Sequence, residues 1–157
     1  MSIVWRAQDD ETETVAELLL AFRNHLGESW PTDNSFVDSV ERLIGRSDTE
    51  FWLAASEQNS PPVAVCQLRF RYSVWTVSED CWLEDLFVRE DARRRGLGAA
   101  LVRRALDRAR ERGCGRIELD TNEANGAALG LYEAHGFSAH SKGGSGRDLF
   151  MGRSLGQ

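Results

Sequence analysis

Between Arg89 and Arg104 the sequence reads REDARRRGLGAALVRR, six arginines and two glycines in sixteen positions of a chain whose formal net charge is −6. Such a stretch has the chemistry to hold an anion. A helix N-terminus carries unpaired backbone N–H groups and a partial positive charge, and glycine lets a phosphate come close to the backbone. Gly96 and Gly98 stand where a helix would open, and Arg93, Arg94 and Arg95 stand just before it. The bland reading of the same residues is a solvated basic helix start with two small residues for tight packing. Two phosphate motifs are excluded, because GLGAAL lacks the third glycine of the dinucleotide fingerprint and no Gly-Lys-Ser/Thr follows as in a nucleotide P-loop. His25, His135 and His140 share no nucleophile or metal spacing, so surface or cap roles are expected of them. Cys66, Cys81 and Cys114 are odd in number and lack paired or metal-like spacing, which suggests neither a disulfide framework nor a zinc site. No metal is expected, and a reducing cytoplasm fits this cysteine usage.

The elements that must position this stretch follow from periodicity. SIVWRAQ reads as a strand. Asp9 or Asp10 can cap a helix whose Val15, Leu18, Leu19 and Phe22 share a face until Gly27 ends it. A second helix over about 34–44 repeats the pattern with Phe36, Val40, Leu43 and Ile44, after the irregular connection GESWPTDN. EFWLAAS, the turn EQNSPP and VAVCQLRFRYSVW predict a hairpin with Ala64, Cys66, Leu68, Phe70, Tyr72 and Val74 on a core face. CWLEDLFV is another strand. From Gly96 to about Arg112, Leu97, Leu101, Ala105 and Ala109 form a helical stripe closed by Gly113. RIELDT is a short strand, GAALGLYEAHG a helix, and GFSAH and RDLFMGRSL two last strands around a flexible KGGSG.

This order predicts one domain over residues 1–157 of α+β (mixed α/β) class. Its central sheet is mixed but mostly antiparallel, with about seven strands and about four flanking helices. The helix after CWLEDLFV returns the chain to a parallel neighbour, RIELDT. Ligands in such sheets bind beyond the carboxyl ends of the strands, where the arginine-glycine stretch sits.

Charge narrows the partner. Residues 1–62 carry twelve Asp or Glu against four Arg, whereas residues 89–112 carry nine Arg against four acids. An acidic chain argues against a general nucleic-acid binder, and the arginine stretch has no interleaved aromatics to stack bases. No basic start with an apolar core opens the chain, and no run approaches the ~18 apolar residues of a membrane span. A soluble, cytoplasmic protein with no membrane or nucleic-acid partner is expected.

Val88 is followed, after four residues, by Arg93-x-x-Gly96-x-Gly98, and downstream NGAALGLYEAHGF supplies Asn125, Ala128, Tyr132, Gly136 and Phe137. In both elements and in their order the chain resembles the GNAT superfamily of acyl-CoA-dependent N-acyltransferases, over about Val63 to the end; the first sixty residues agree in element order alone. WLEDLFV, with YSVW before it, resembles the spermidine/spermine (diamine) acetyltransferase branch. The resemblance implies a GNAT fold with a parallel strand pair splayed at the CoA site. It also implies acetyl-CoA as co-substrate, its diphosphate held by the backbone amides of Arg93, Arg94, Arg95, Gly96, Leu97, Gly98 and Ala99. The pantetheine arm would lie against main-chain groups of Leu86 and Val88 and against Asn125.

Acyl transfer from a thioester to an amine has three demands. An alkyl ammonium must lose a proton before attack, a tetrahedral oxyanion needs a fixed N–H donor, and the departing thiolate leaves better if protonated. Tyr132 matches the family's tyrosine, and its phenol is the implied acid; a core tyrosine is the alternative. WLEDLFV offers Glu84 and Asp85 on opposite faces of one strand. Glu84 matches the glutamate that acts as base, usually through water, in the diamine branch, and its alternative is a cross-strand ion pair with Arg69 or Arg71. Glu28, Trp30 and Asp33 lie in the loop that commonly walls the acceptor pocket in the superfamily, and with Asp85 they are candidate substrate contacts. The acidic N-terminal half would steer a cationic amine toward the site. The expected activity is N-acetylation of a small cationic amine, a polyamine, amino sugar or amino acid, by direct attack in a ternary complex. Acetylation of protein or peptide amines, or non-catalytic sensing of acyl-CoA, stand as alternatives. A homodimer is expected, because dimers are frequent in the superfamily.

Overall fold

In the computed structural model of the chain, which describes residues 2–140 and 144–156, Ile3–Arg6 form β1, antiparallel to β2 (Thr49–Ala55). The chain divides into two compact units, Met1–Leu119 and Asp120–Gln157. In the first unit β3 (Ala64–Ser73) and β4 (Ser78–Val88) continue the antiparallel sheet, and β5 (Arg116–Glu118) adds a parallel edge in the order β1-β2-β3-β4-β5. Helices α1 (Thr12–His25) and α2 (Asp33–Ile44) cover one face. Val15, Leu18, Val40 and Ile44 there join Phe51, Leu53, Val65 and Phe87 in one buried cluster.

Helix α3 (Leu97–Glu111) covers the other face through the expected stripe of Leu97, Leu101, Ala105 and Ala109, all buried. Covered on both sides, β2 is buried along its whole length, which is why EFWLAAS lacks alternation. The same holds for β3 from Ala64 to Leu68, and only then do Arg69 and Arg71 alternate outward. The expected core face of this strand fails at its far end, where Tyr72 and Val74 are 66% and 78% exposed. There β2 has stopped pairing, at Arg69, and the β3–β4 pair runs on as a two-stranded ribbon.

Two local expectations are also corrected. Asp9 and Asp10 do not cap α1; with Glu11 they form a preceding 3-10 turn in which the Glu11 carboxylate accepts from Gln8 N–H at 3.1 Å. Their charges still sit at the positive end of the helix. Among the described residues the sheet has five strands rather than about seven. GFSAH and RDLFMGRSL contribute a single bridge, His140 to Arg147, and residues 148–156 form no ladder. β-propensity records fit to a neighbouring strand, and a segment without one stays extended and unpaired. Of KGGSG, Lys142 and Gly143 lie outside the described residues. The second unit contains α4 (Gly126–Ala134).

Candidate functional site

The arginine-glycine stretch lies in the first unit, between the end of β4 and α3. After a short 3-10 turn at Glu90–Ala92, Arg93 is extended, Arg94 adopts a left-handed φ of 64°, and Gly96, the N-cap of α3, has φ 78°. Left-handed residues within such a turn swing successive N–H groups toward a common side, a concavity suited to anions. No side chain caps α3, so its first N–H groups, from Leu97, Gly98 and Ala99, face outward at the positive end of a fifteen-residue helix. A Cβ built on Gly96 meets nothing within 4 Å. Arg94 and Arg95 are exposed and make no hydrogen bond or ion pair among the described residues. Arg93 is different. Its Nε donates to Val88 O at 3.0 Å, its guanidinium lies 5.8 Å from the Phe87 ring centre, and its terminal nitrogen is 3.3 Å from His25 Nε2 on α1. Its side chain staples the loop to the strand end instead of reaching outward.

The parallel pairing of β4 with β5 ends at Trp82 opposite Glu118, so from Leu83 onward that edge of β4 has no ladder partner among the described residues. Arg89 N–H donates to Val63 O on the β3 side, and main-chain groups alternate in direction along a strand. Those of Leu86 and Val88 therefore point to the open edge, where Val88 O already receives Arg93.

On the β3 side the register slips once. Leu68 lies opposite Leu83 and Gln67 opposite Asp85, which leaves Glu84 as the extra residue of a β-bulge. The bulge corrects the expectation that Glu84 and Asp85 occupy opposite faces. Asp85 faces Gln67, and Glu84 accepts a hydrogen bond from Arg69 Nε. Gln67 and Arg69, two apart on β3, share a face, so both carboxylates lie on it. The Arg69–Glu84 pair is partly solvated, with side chains 45% and 36% exposed, and such pairs contribute at most about 1 kcal/mol.

The loop between α1 and α2 exposes Glu28 and Trp30. Asp33 opens α2 and pairs with Arg23 at 2.8 Å, while Arg23 also donates to Pro31 O at 2.6 Å and lies over the Phe36 ring. Asp33 further lines an open cleft of about 460 Å³ with Glu13, Glu17, Asn24, Val37 and Arg89. These loop residues thus border the α1–α2 side, the side that carries Glu84 and Asp85.

Buried Glu50 was not singled out by the sequence. Arg108 brackets its carboxylate at 2.9–3.0 Å, Arg112 lies 3.3 Å away, and Trp52 Nε1 donates at 3.1 Å. Burial alone would raise the Glu50 pKa. The hydrogen bond from Arg108, the charges of Arg6 and Arg108, and the Trp52 bond outweigh it and hold the pKa below the usual glutamate range. Arg104 stacks 4.5 Å from the Trp52 ring centre and binds Glu111. Half the basic charge of α3 is therefore structural. Burial pushes the Cys66 thiol up and the Cys81 thiol to about 12, so neither is a nucleophile at neutral pH.

In the second unit Asn125 is the N-cap of α4, its Oδ1 accepting from Ala128 N–H at 3.2 Å. The helix ends in a Schellman motif. Gly136 N–H donates to Glu133 O and Phe137 N–H to Tyr132 O, both at 3.0 Å, with Gly136 at φ 88°. Phe137 packs edge-on against Tyr132, ring centres 5.9 Å apart. The spacing from Asn125 to Phe137 is thereby a complete helix with both caps, and it holds the buried Tyr132 ring in a fixed place. His135 Nδ1 sits 2.8 Å from Leu131 O, a cap-like contact as expected. Among the described residues no group of His, Cys, Asp and Glu could hold a metal, and no helix is long and apolar enough to cross a membrane.

Comparison with known proteins bears on the whole arrangement. The family model of the acetyltransferase (GNAT) family matches residues 12–137. Thialysine N-epsilon-acetyltransferase of Caenorhabditis elegans is 30% identical over 124 residues, covering 75% of this chain and 74% of that protein. The bovine protein of the same name is 31% identical over 67 residues, a match that spans 39% of its length and 43% of this chain. A crystal structure from Arthrobacter sp. FB24, described as a candidate acetyltransferase, superposes with a TM-score of 0.87 at 28% identity over 98% of this chain and 96% of that one.

Proposed function

We propose, because this chain belongs to the GNAT acetyltransferase family, that it moves an acetyl group from acetyl-CoA to a primary amine, and that the acceptor is a small cationic amine. The observation that carries the donor half is the start of α3. It is an uncapped helix N-terminus preceded by two left-handed residues, beside two unpartnered arginines. Those groups fit a diphosphate. The amides of Arg93 to Ala99 would bind it, Arg94 and Arg95 would add charge, and the open-edge main chain at Leu86 and Val88 would hold the amide groups of the pantetheine arm. Asn125 keeps its Nδ2 hydrogens as donors to the same arm once Oδ1 caps α4.

The acceptor half rests on Glu84 and Asp85, brought to one face by the bulge, and on the acid surplus of residues 1–62. Thialysine, in the names of two relatives, is modified at an ε nitrogen, which supports a side-chain-type amine. In the step itself the ammonium gives one proton to Glu84. The free nitrogen forms a bond to the acetyl carbon, the carbon–sulfur bond breaks, Tyr132 donates its phenol proton to the leaving thiolate, and the second proton that the nitrogen sheds on becoming an amide restores the phenol, while Glu84 releases the first to solvent. Release of free thiol from acetyl-CoA, followed across polyamines, aminoglycosides, amino acids and short peptides, tests the reading. Turnover with cationic small amines is expected. Turnover with peptides alone would move the acceptor class, and binding of acetyl-CoA with no turnover on any amine would make the chain a sensor.

A further inference from the structure

We infer that Gln67 is a positioning residue for the acceptor's proton, its side-chain N–H holding the water through which the incoming ammonium reaches Glu84. The inference rests on the reading of Glu84 as base given above. Gln67 is buried in β3, 4% exposed, and among the described residues its Nε2 has no hydrogen-bond partner. A buried amide donor left unpaired is destabilising, and native proteins rarely keep one without a use or a bound water.

Its surroundings select the use. Gln67 lies directly opposite Asp85, next to the bulged Glu84, with Arg69 following on the same face. Toward the strand's other end that face closes into the apolar cluster of Val65 and Phe87, and toward Arg69 and Glu84 it opens to solvent. Gln67 therefore stands on this face between the apolar cluster and the partly exposed Arg69–Glu84 pair. An ammonium is not held by an N–H donor, because like ends of the dipoles meet. Water satisfies every group present. It accepts from Gln67 Nε2 and from the ammonium, and it donates to the carboxylates of Glu84 and Asp85. A proton moving from the ammonium onto this water, as another leaves the water for Glu84, balances the step with no other reactant.

The test compares Gln67→Met, near in shape, and Gln67→Leu with Glu84→Gln, reading kcat against pH, KM for acetyl-CoA and thermal unfolding. Removing an unpaired buried amide should leave Tm unchanged or raised, a result that a purely structural role for Gln67 would reverse. Loss of the water's anchor should lower kcat about tenfold below the amine's pKa, with convergence on wild type as free amine becomes abundant and with KM for acetyl-CoA unchanged. Stable Gln67 variants with a wild-type pH–rate profile, beside a slowed Glu84→Gln, would overturn the assignment of Gln67 alone. Wild-type profiles for all three would overturn Glu84 as base and Gln67 with it. A fall in Tm in both Gln67 variants with activity lost equally at every pH would also overturn the inference.

Discussion

Gly96 allows the anion site to be tested with its confounding strain removed. At φ 78° and ψ 11° it is left-handed, and a Cβ there meets nothing of the chain within 4 Å. Any side chain placed there enters open space at the start of the helix whose first amides come from Leu97 to Ala99. Gly96→Asn and Gly96→Asp have the same shape, and both residue types tolerate the left-handed region better than others, where the ordinary cost is about 1–2 kcal/mol. Their unfolding curves should nearly coincide. They differ in one charge. A carboxylate about 5 Å from a phosphate, at an effective dielectric of about 20, opposes it by about 3 kcal/mol, or roughly a hundredfold in Kd. Isothermal titration with acetyl-CoA should therefore rank wild type, Asn and Asp in falling affinity, with the large step between the last two. That step should shrink in about 1 M salt, where the Debye length is about 3 Å. Equal affinity of the Asn and Asp variants at low salt, or a difference that salt leaves unchanged, would refute an anion at this helix start.

Tyr132→Phe keeps the ring that packs on Phe137 and the backbone bonds that end α4, so kcat should fall about a hundredfold while KM for acetyl-CoA stays; full turnover would remove the acid role. Glu50→Gln leaves Arg108 and Arg112 without their buried counter-charge and should cost about 3–5 kcal/mol by urea unfolding. Because the folded pKa of Glu50 is lowered, its contribution is complete above the unfolded glutamate range and is lost as pH falls through the folded value. The gap between wild type and variant should accordingly narrow in acid, and a gap that widened there would contradict the ion-pair account.

Elements whose cause is local were legible. The stripe Leu97, Leu101, Ala105, Ala109 and the glycines at 27 and 113 mark helices that fold where periodicity puts them. The motif from Asn125 to Phe137 was readable for the same reason, since cap, helix and Schellman turn are each short-range. The last two strands were not, because a strand needs a partner that its own sequence does not contain. Glu84 and Asp85 were misplaced relative to each other, since alternation predicts faces only while register is unbroken and a one-residue bulge resets it.

The arginines of α3 divide along the same line. Arg104, Arg108 and Arg112 recur every four residues, a spacing that puts them on one helix face, and that face meets Trp52 and Glu50 of β2. Arg93 to Arg95 precede the helix and have no such period. Periodicity within an element signals packing against the rest of the chain, and charge gathered just outside an element, where backbone groups are unpaired, signals a ligand. On that distinction the basic charge of this acidic chain serves two ends. Arg108 and Arg112 hold a buried glutamate in the sheet, with Arg104 stacked on Trp52 beside them, and the turn before them turns its amides outward. An anion is therefore expected only at the turn, and neutralising Arg104 should alter stability while leaving acetyl-CoA affinity where it was.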